Sequence, residues 1–82
     1  IGVEVDAGTG EGPVVTGVSS HARRAGLKVR DVITAVNGRP TRDMNEYVRV
    51  LGDYAPNEMV EVSVRRLKRH MTVEVRLLTR RG

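Results

Sequence analysis

Ser19, Ser20 and Ser63, several threonines and two histidines are the side chains of this sequence best equipped for nucleophilic or acid–base chemistry. A nucleophile needs a base within hydrogen-bond reach. His21 falls in what reads as a short helix and His70 in a basic turn, neither has a local partner arrangement, and no Gly-x-Ser-x-Gly elbow occurs. Two histidines among scattered acids do not make a metal set at ligand spacing. The absence of cysteine excludes disulfides and thiolate sites. Gly8-x-Gly10-x-Gly12 lies between two strand patterns with no helix behind it, so it does not read as a phosphate-cradling loop. These residue types point away from catalysis and from any metal or cofactor. They leave binding as the function to look for.

The elements that would carry a binding site follow from periodicity. Gly2 to Asp6 alternates apolar and polar as a half-buried strand does, Ala7–Pro13 reads as a flexible glycine loop, and Pro13–Val18 as a second, central strand. Ser20 is suited to cap a short helix, His21–Ala25, ended by Gly26. A β-branched strand, Val32–Val36, then runs into Asn37-Gly38, the dipeptide that suits both positive φ values of a type I′ turn, and a short extended piece to Pro40. Asp43 and Glu46 make a capping-box pattern for a helix over Met44–Leu51, with Gly52 closing it. Its apolar arc, about 160° wide, exceeds what one core contact needs. One edge (Met44, Val48, Leu51) is free to line something else while Tyr47 and Val50 pack inward. Met59–Arg66 and Met71–Leu77 alternate as two long strands joined by a basic turn, Leu67–His70, which lacks Gly or Asn and so does not read as a two-residue I′ loop. Thr79–Gly82 reads as a frayed tail.

Eighty-two residues make one domain, and the start at Ile1, inside a strand pattern, suggests one cut from a larger protein. Five or six antiparallel strands and two helices are buried most economically as a mainly β, α+β fold: a small, partly open antiparallel β-barrel capped by two helices.

Residues 25–38 narrow this further. Ala25-Gly26-Leu27, then Asp31-Val32-Ile33, then Val36-Asn37-Gly38 resembles the central signature of PDZ domains, and most closely that of the bacterial high-temperature-requirement protease type. The match departs at Arg30, where that type usually has Gly; if the turn needs a positive φ, Arg30 is strained. The likeness extends from Ile1 to about Leu78. It implies the PDZ fold and a groove that binds the C-terminal or extended segment of a partner protein. Ile1-Gly2-Val3 matches the carboxylate-binding loop, Val3, Glu4, Val5 and Asp6 the strand that accepts the ligand, and Met44, Val48 and Leu51 the facing helix edge. An unpaired strand edge can take an extended peptide, and successive N–H groups around Gly2 can hold a carboxylate. Ile1, Val3, Val48 and Leu51 would enclose the last side chain, and Met44 would favour an apolar residue two before it. Glu4 and Asp6 face away from this apolar side. From pattern alone, the same apolar residues read equally as plain core.

The resemblance implies a non-catalytic module, monomeric as an isolated domain. Two other readings remain: the substrate-recognition domain of a larger serine protease, and a scaffold or dimerisation module with an occluded groove. A further reading comes from charge. The net charge is +4, yet residues 1–18 hold Glu4, Asp6 and Glu11 and no Lys or Arg, while residues 65–82 hold seven of the fourteen basic side chains. Arg65, Arg66, Lys68, Arg69, Arg80 and Arg81 would make an anionic-surface binder, a reading ranked below a solvated hairpin. No nucleic acid is expected, and the lack of an aromatic platform to stack bases weakens the single-strand reading in particular.

Overall fold

The computed structural model describes residues 2–8, 10–55 and 57–77; Ile1 and the expected tail lie outside them. Along the chain come β1 (Val3–Asp6), β2 (Val14–Val18), α1 (Ser20–Ala25), β3 (Val32–Val36), β4 (Arg39–Pro40), α2 (Met44–Gly52), β5 (Met59–Arg66) and β6 (Arg69–Arg76). The strands form one antiparallel sheet in the order β1-β2-β3-β5-β6, with β4 paired to β3. The sheet does not close, and β1 and β6 are its outer strands. Helix α1 packs on both β2 and β6, and His21 Nε2 donates to the Arg76 carbonyl at 2.9 Å. The expected mainly β, two-helix PDZ-like architecture forms, with six strands where five or six were expected.

The core is aliphatic. Val60, Val62 and Val64 from β5 and Val75 from β6 meet Val15, Leu27, Ile33 and Val36, and Tyr47 and Val50 of α2 close over them. Burial pushes the Tyr47 hydroxyl up to about 12, so it stays neutral.

Local chemistry explains the joints. Gly26 ends α1 at φ 113°, and Asn37 and Gly38 take φ 51° and 79°, the positive pair a type I′ hairpin requires. Several boundaries differ from expectation. Ser19, not Ser20, caps α1, its Oγ accepting from the Ala22 N–H at 3.2 Å; two adjacent serines are equally suited, and backbone direction selects the first. Asp43 caps α2 as expected, but Glu46 reaches one residue further back, to the Arg42 N–H at 2.7 Å and the Arg42 guanidinium. Helix α2 includes Gly52 and ends on Asp53 in a right-handed conformation. The Leu67–His70 turn is shorter than expected. Arg66 pairs with Arg69, leaving a two-residue loop with positive φ at Leu67 (57°) and not at Lys68, so it is not type I′. The glycine loop is packed at its far end. Gly12 is buried, and a Cβ there would lie 1.9 Å from the Ile33 carbonyl oxygen, which only glycine avoids.

The 27–31 turn holds two exceptions to easy folding. Arg30 sits at φ 80° with its N–H donating to the Val15 carbonyl at 2.7 Å. A side chain there is strained, whereas glycine keeps the hydrogen bond without the strain. Arg30→Gly is expected to raise stability by about 0.5–1 kcal/mol, less than the full strain because glycine also frees the unfolded chain. Urea unfolding reads it directly, and a lower midpoint would show that the Arg30 side chain makes a stabilising contact.

The second exception is Asp31. Its carboxylate is fully buried, accepts from the Lys28 N–H at 2.9 Å, and is gripped by Arg66 through Nε (2.8 Å) and Nη2 (2.9 Å). Arg66 Nη2 also donates to the Gly26 carbonyl at 2.7 Å. One guanidinium thus ties the end of α1, the turn into β3 and the end of β5.

Candidate functional site

Among the described residues, strand β1 pairs with β2 along one edge only, Val3 opposite Val18 and Asp6 opposite Val14. The register shifts between Glu4 and Val5, which face Gly17 and Val15, so Thr16 bulges out of β2 and the edge bends. Val3 and Val5 are half-buried against the core, while Glu4 and Asp6 are exposed. Glu4 lies beside Gly17, where its Oε1 stands 2.7 Å from the position a Cβ would take. Asp6 Oδ1 accepts from the Ala7 N–H at 2.8 Å. Gly2 is at φ 78°, and its carbonyl accepts from the Ser19 N–H at 2.8 Å, which turns the chain end toward the start of α1. Ile1, the other half of the expected carboxylate loop, lies outside the described residues.

Helix α2 divides its apolar arc. Tyr47 and Val50 are buried, Met44 and Leu51 half-buried, and Val48 is 61% exposed. Leu51 packs on the core. Val48 is the large apolar side chain of α2 that nothing in the chain covers among the described residues. The N-terminal end of α2 lies near the end of β1: Ala7 and Gly8, just past the strand, share with Arg42 and Met44 the wall of a cavity of about 380 Å³. A polar lock that periodicity did not reveal holds this end of the helix. Arg42 pairs with Glu46 at 3.1 Å, and its hydrogen bonds hold the Glu46 carboxyl below the usual range. The i,i+4 spacing of opposite charges was its signal.

The arrangement offers backbone donors and acceptors along the outer edge of β1, an exposed Val48 on α2, and a glycine at positive φ at the strand's entrance. Among the described residues no group of three His, Cys, Asp or Glu could hold a metal ion.

Comparison with known proteins bears on the same elements. No curated protein matches the chain. Among solved structures it resembles the HtrA-type protease AlgW with decapeptide at 26% identity and a TM-score of 0.85, over 99% of this chain and 29% of that one. A serine endoprotease from Yersinia pestis is similar at 26% identity and a TM-score of 0.71, over 90% of this chain and 29% of that one. An aminopeptidase N family protein from Idiomarina loihiensis is similar at 26% identity and a TM-score of 0.81, over 93% of this chain and 13% of that one. The chain therefore spans under a third of the length of these proteins. A PDZ domain is itself a non-catalytic module, present here as it is in proteases of HtrA type. The PDZ-domain family model matches residues 14–66, from β2 through β5 and so across the signature turn that Asp31 and Arg66 fasten, and the chain belongs to the PDZ domain family.

Proposed function

We propose that this domain binds an extended peptide ending in a free carboxylate, added as a strand to the open edge of β1 and held against α2. The observation that carries this is the pairing of an edge strand with an uncovered apolar helix face: among the described residues β1 bonds to β2 on one side only, and Val48 stands exposed on α2. Backbone groups of Val3–Asp6 supply the strand hydrogen bonds, and side-chain pockets supply selectivity. The carboxylate sits at the Ile1-Gly2-Val3 segment, where positive φ at Gly2 lets consecutive N–H groups converge. Val3, Val48 and Leu51 receive the last side chain and Met44 the one two before it. Both positions therefore favour apolar residues.

Acid and amide forms of one peptide with an apolar-x-apolar ending test it. A charge-assisted hydrogen bond contributes about 1.5–3 kcal/mol, so amidation should weaken binding at least about tenfold. Equal affinity for both forms would mean the terminus is not recognised.

The likeness to AlgW, solved with a decapeptide, favours a second, compatible reading: the domain serves a larger protease by presenting or sensing peptides. The neighbouring coding sequence tests it. A serine-protease domain supports it, and an aminopeptidase-type domain would replace it with the setting of the Idiomarina protein.

A further inference from the structure

The end of the sheet where β3 begins and β5 finishes carries a surface unrelated to the groove. Val32 pairs with Arg65, so the 27–31 turn and the Leu67-Lys68 turn emerge side by side, and Arg66 bolts them together through Asp31 and Gly26. Each turn presents an aliphatic side chain to solvent: Val29 is 49% exposed and Leu67 84%. Around them stand Lys28, Arg30, Lys68 and Arg69, all exposed, and none of the four forms an ion pair among the described residues. Arg23 and Arg24 add charge from the last turn of α1. The acids within reach are already engaged, Asp31 by Arg66 and Glu11 by Arg65 at 2.7 Å. Both turns are also strained, with Arg30 at φ 80° and Leu67 at φ 57°. The fold gains no burial from placing Leu67 where glycine or asparagine would be relaxed.

We propose that this end of the domain docks on an anionic lipid surface, with Val29 and Leu67 entering the headgroup boundary and Lys28, Arg30, Lys68 and Arg69 lying against the negative headgroups. The shape favours lipid over other polyanions. Two turn apices make a convex, apolar-tipped projection, which a yielding headgroup layer accommodates. Single-stranded nucleic acid would use aromatic stacking, and Tyr47 is buried while Tyr54 lies beside Arg39. The proposal does not rest on the peptide-binding reading. Strands β1 and β5–β6 stand at opposite ends of the strand order, so both sites can be occupied together.

Vesicle co-sedimentation tests it, comparing mixed phosphatidylglycerol–phosphatidylcholine vesicles with phosphatidylcholine alone. The chain should partition to the anionic vesicles and be released by salt. Lys68→Gln with Arg69→Gln should lower partitioning about 25-fold, at about fivefold per cation. Leu67→Gly keeps every charge and suits the turn, so it should remain folded by circular dichroism and still lose about tenfold through the missing apolar contact. No partitioning at low salt, or equal partitioning to neutral vesicles, would overturn the proposal. So would a Leu67→Gly variant that binds the anionic vesicles like the parent while the double variant is released, since binding would then be purely electrostatic, with no apolar side chain entering the headgroup boundary.

Discussion

Replacing Asp31 with alanine is expected to lower folding stability by about 3 kcal/mol. Removing one member of a buried ion pair costs about 3–5 kcal/mol because the other charge stays behind. Arg66 keeps 24% of its side chain exposed, so solvent recovers part of that, and the lower end of the range applies. The Lys28 N–H loses its acceptor as well. A domain of this length has about 4–12 kcal/mol in total, so the variant keeps a fraction of its stability and its urea midpoint falls by about 2–3 M. Acid pH supplies the second readout. Burial pushes the Asp31 carboxyl up, but the hydrogen bonds from Arg66 and the Lys28 N–H, with the guanidinium charge, outweigh it and leave it below the ordinary 3.8. A carboxyl depressed in the folded state contributes stability fully above its unfolded value and loses it as pH falls through the folded one. The gap between the parent and Asp31→Asn should therefore be constant near neutrality and close below about 3.8, the ordinary value. A gap that persists unchanged through the acid range would show that the charge of Asp31 is not what stabilises the turn.

That ion pair also marks how far the sequence could be read. Joints governed by one or two residues were legible. Gly26 as a helix end, Asn37-Gly38 as a hairpin and Asp43 as a cap each depend on a local backbone requirement that few residue types meet. Where two neighbours meet the requirement equally, as Ser19 and Ser20 do, local chemistry does not choose between them. The Leu67–His70 turn is rightly not read as type I′, but β6 starts at Arg69 rather than Met71, because the length of the turn is imposed by the ladder between β5 and β6, eight paired positions ending at Arg66 and Arg69. Asp31 and Arg66 lie 35 residues apart, and no periodicity links them. The split of the α2 face was legible in part from helical spacing, with Tyr47 and Val50 inward and Val48 outward, but Leu51, expected on the free edge, packs against the core. Helical spacing does not say what an outward valine meets, because that depends on which distant element of the chain the fold sets opposite it.

Val48 is for this reason the residue on which the peptide-binding proposal turns. Val48→Arg should leave the fold intact and reduce affinity for an apolar-ended peptide by about a hundredfold. Val48 is 61% exposed on a well-capped helix, so the change alters stability by no more than about 0.5 kcal/mol. Val3 and Leu51 are poorer probes, because both pack on the core and truncating either mixes folding with binding. In the bound state the arginine removes apolar contact worth about 1.5–3 kcal/mol. On the proposed binding mode it also places a guanidinium where the last ligand side chain would sit, with no acid in the apolar arc of α2 to pair with it. Val48→Ala separates these two effects: it shortens the contact without adding charge and should cost about three- to tenfold. Isothermal titration with the acid-terminated peptide gives all three affinities. Parent-like binding by the arginine variant, with its unfolding curve unchanged, would move the ligand off this face of α2 and leave Val48 an ordinary solvated valine.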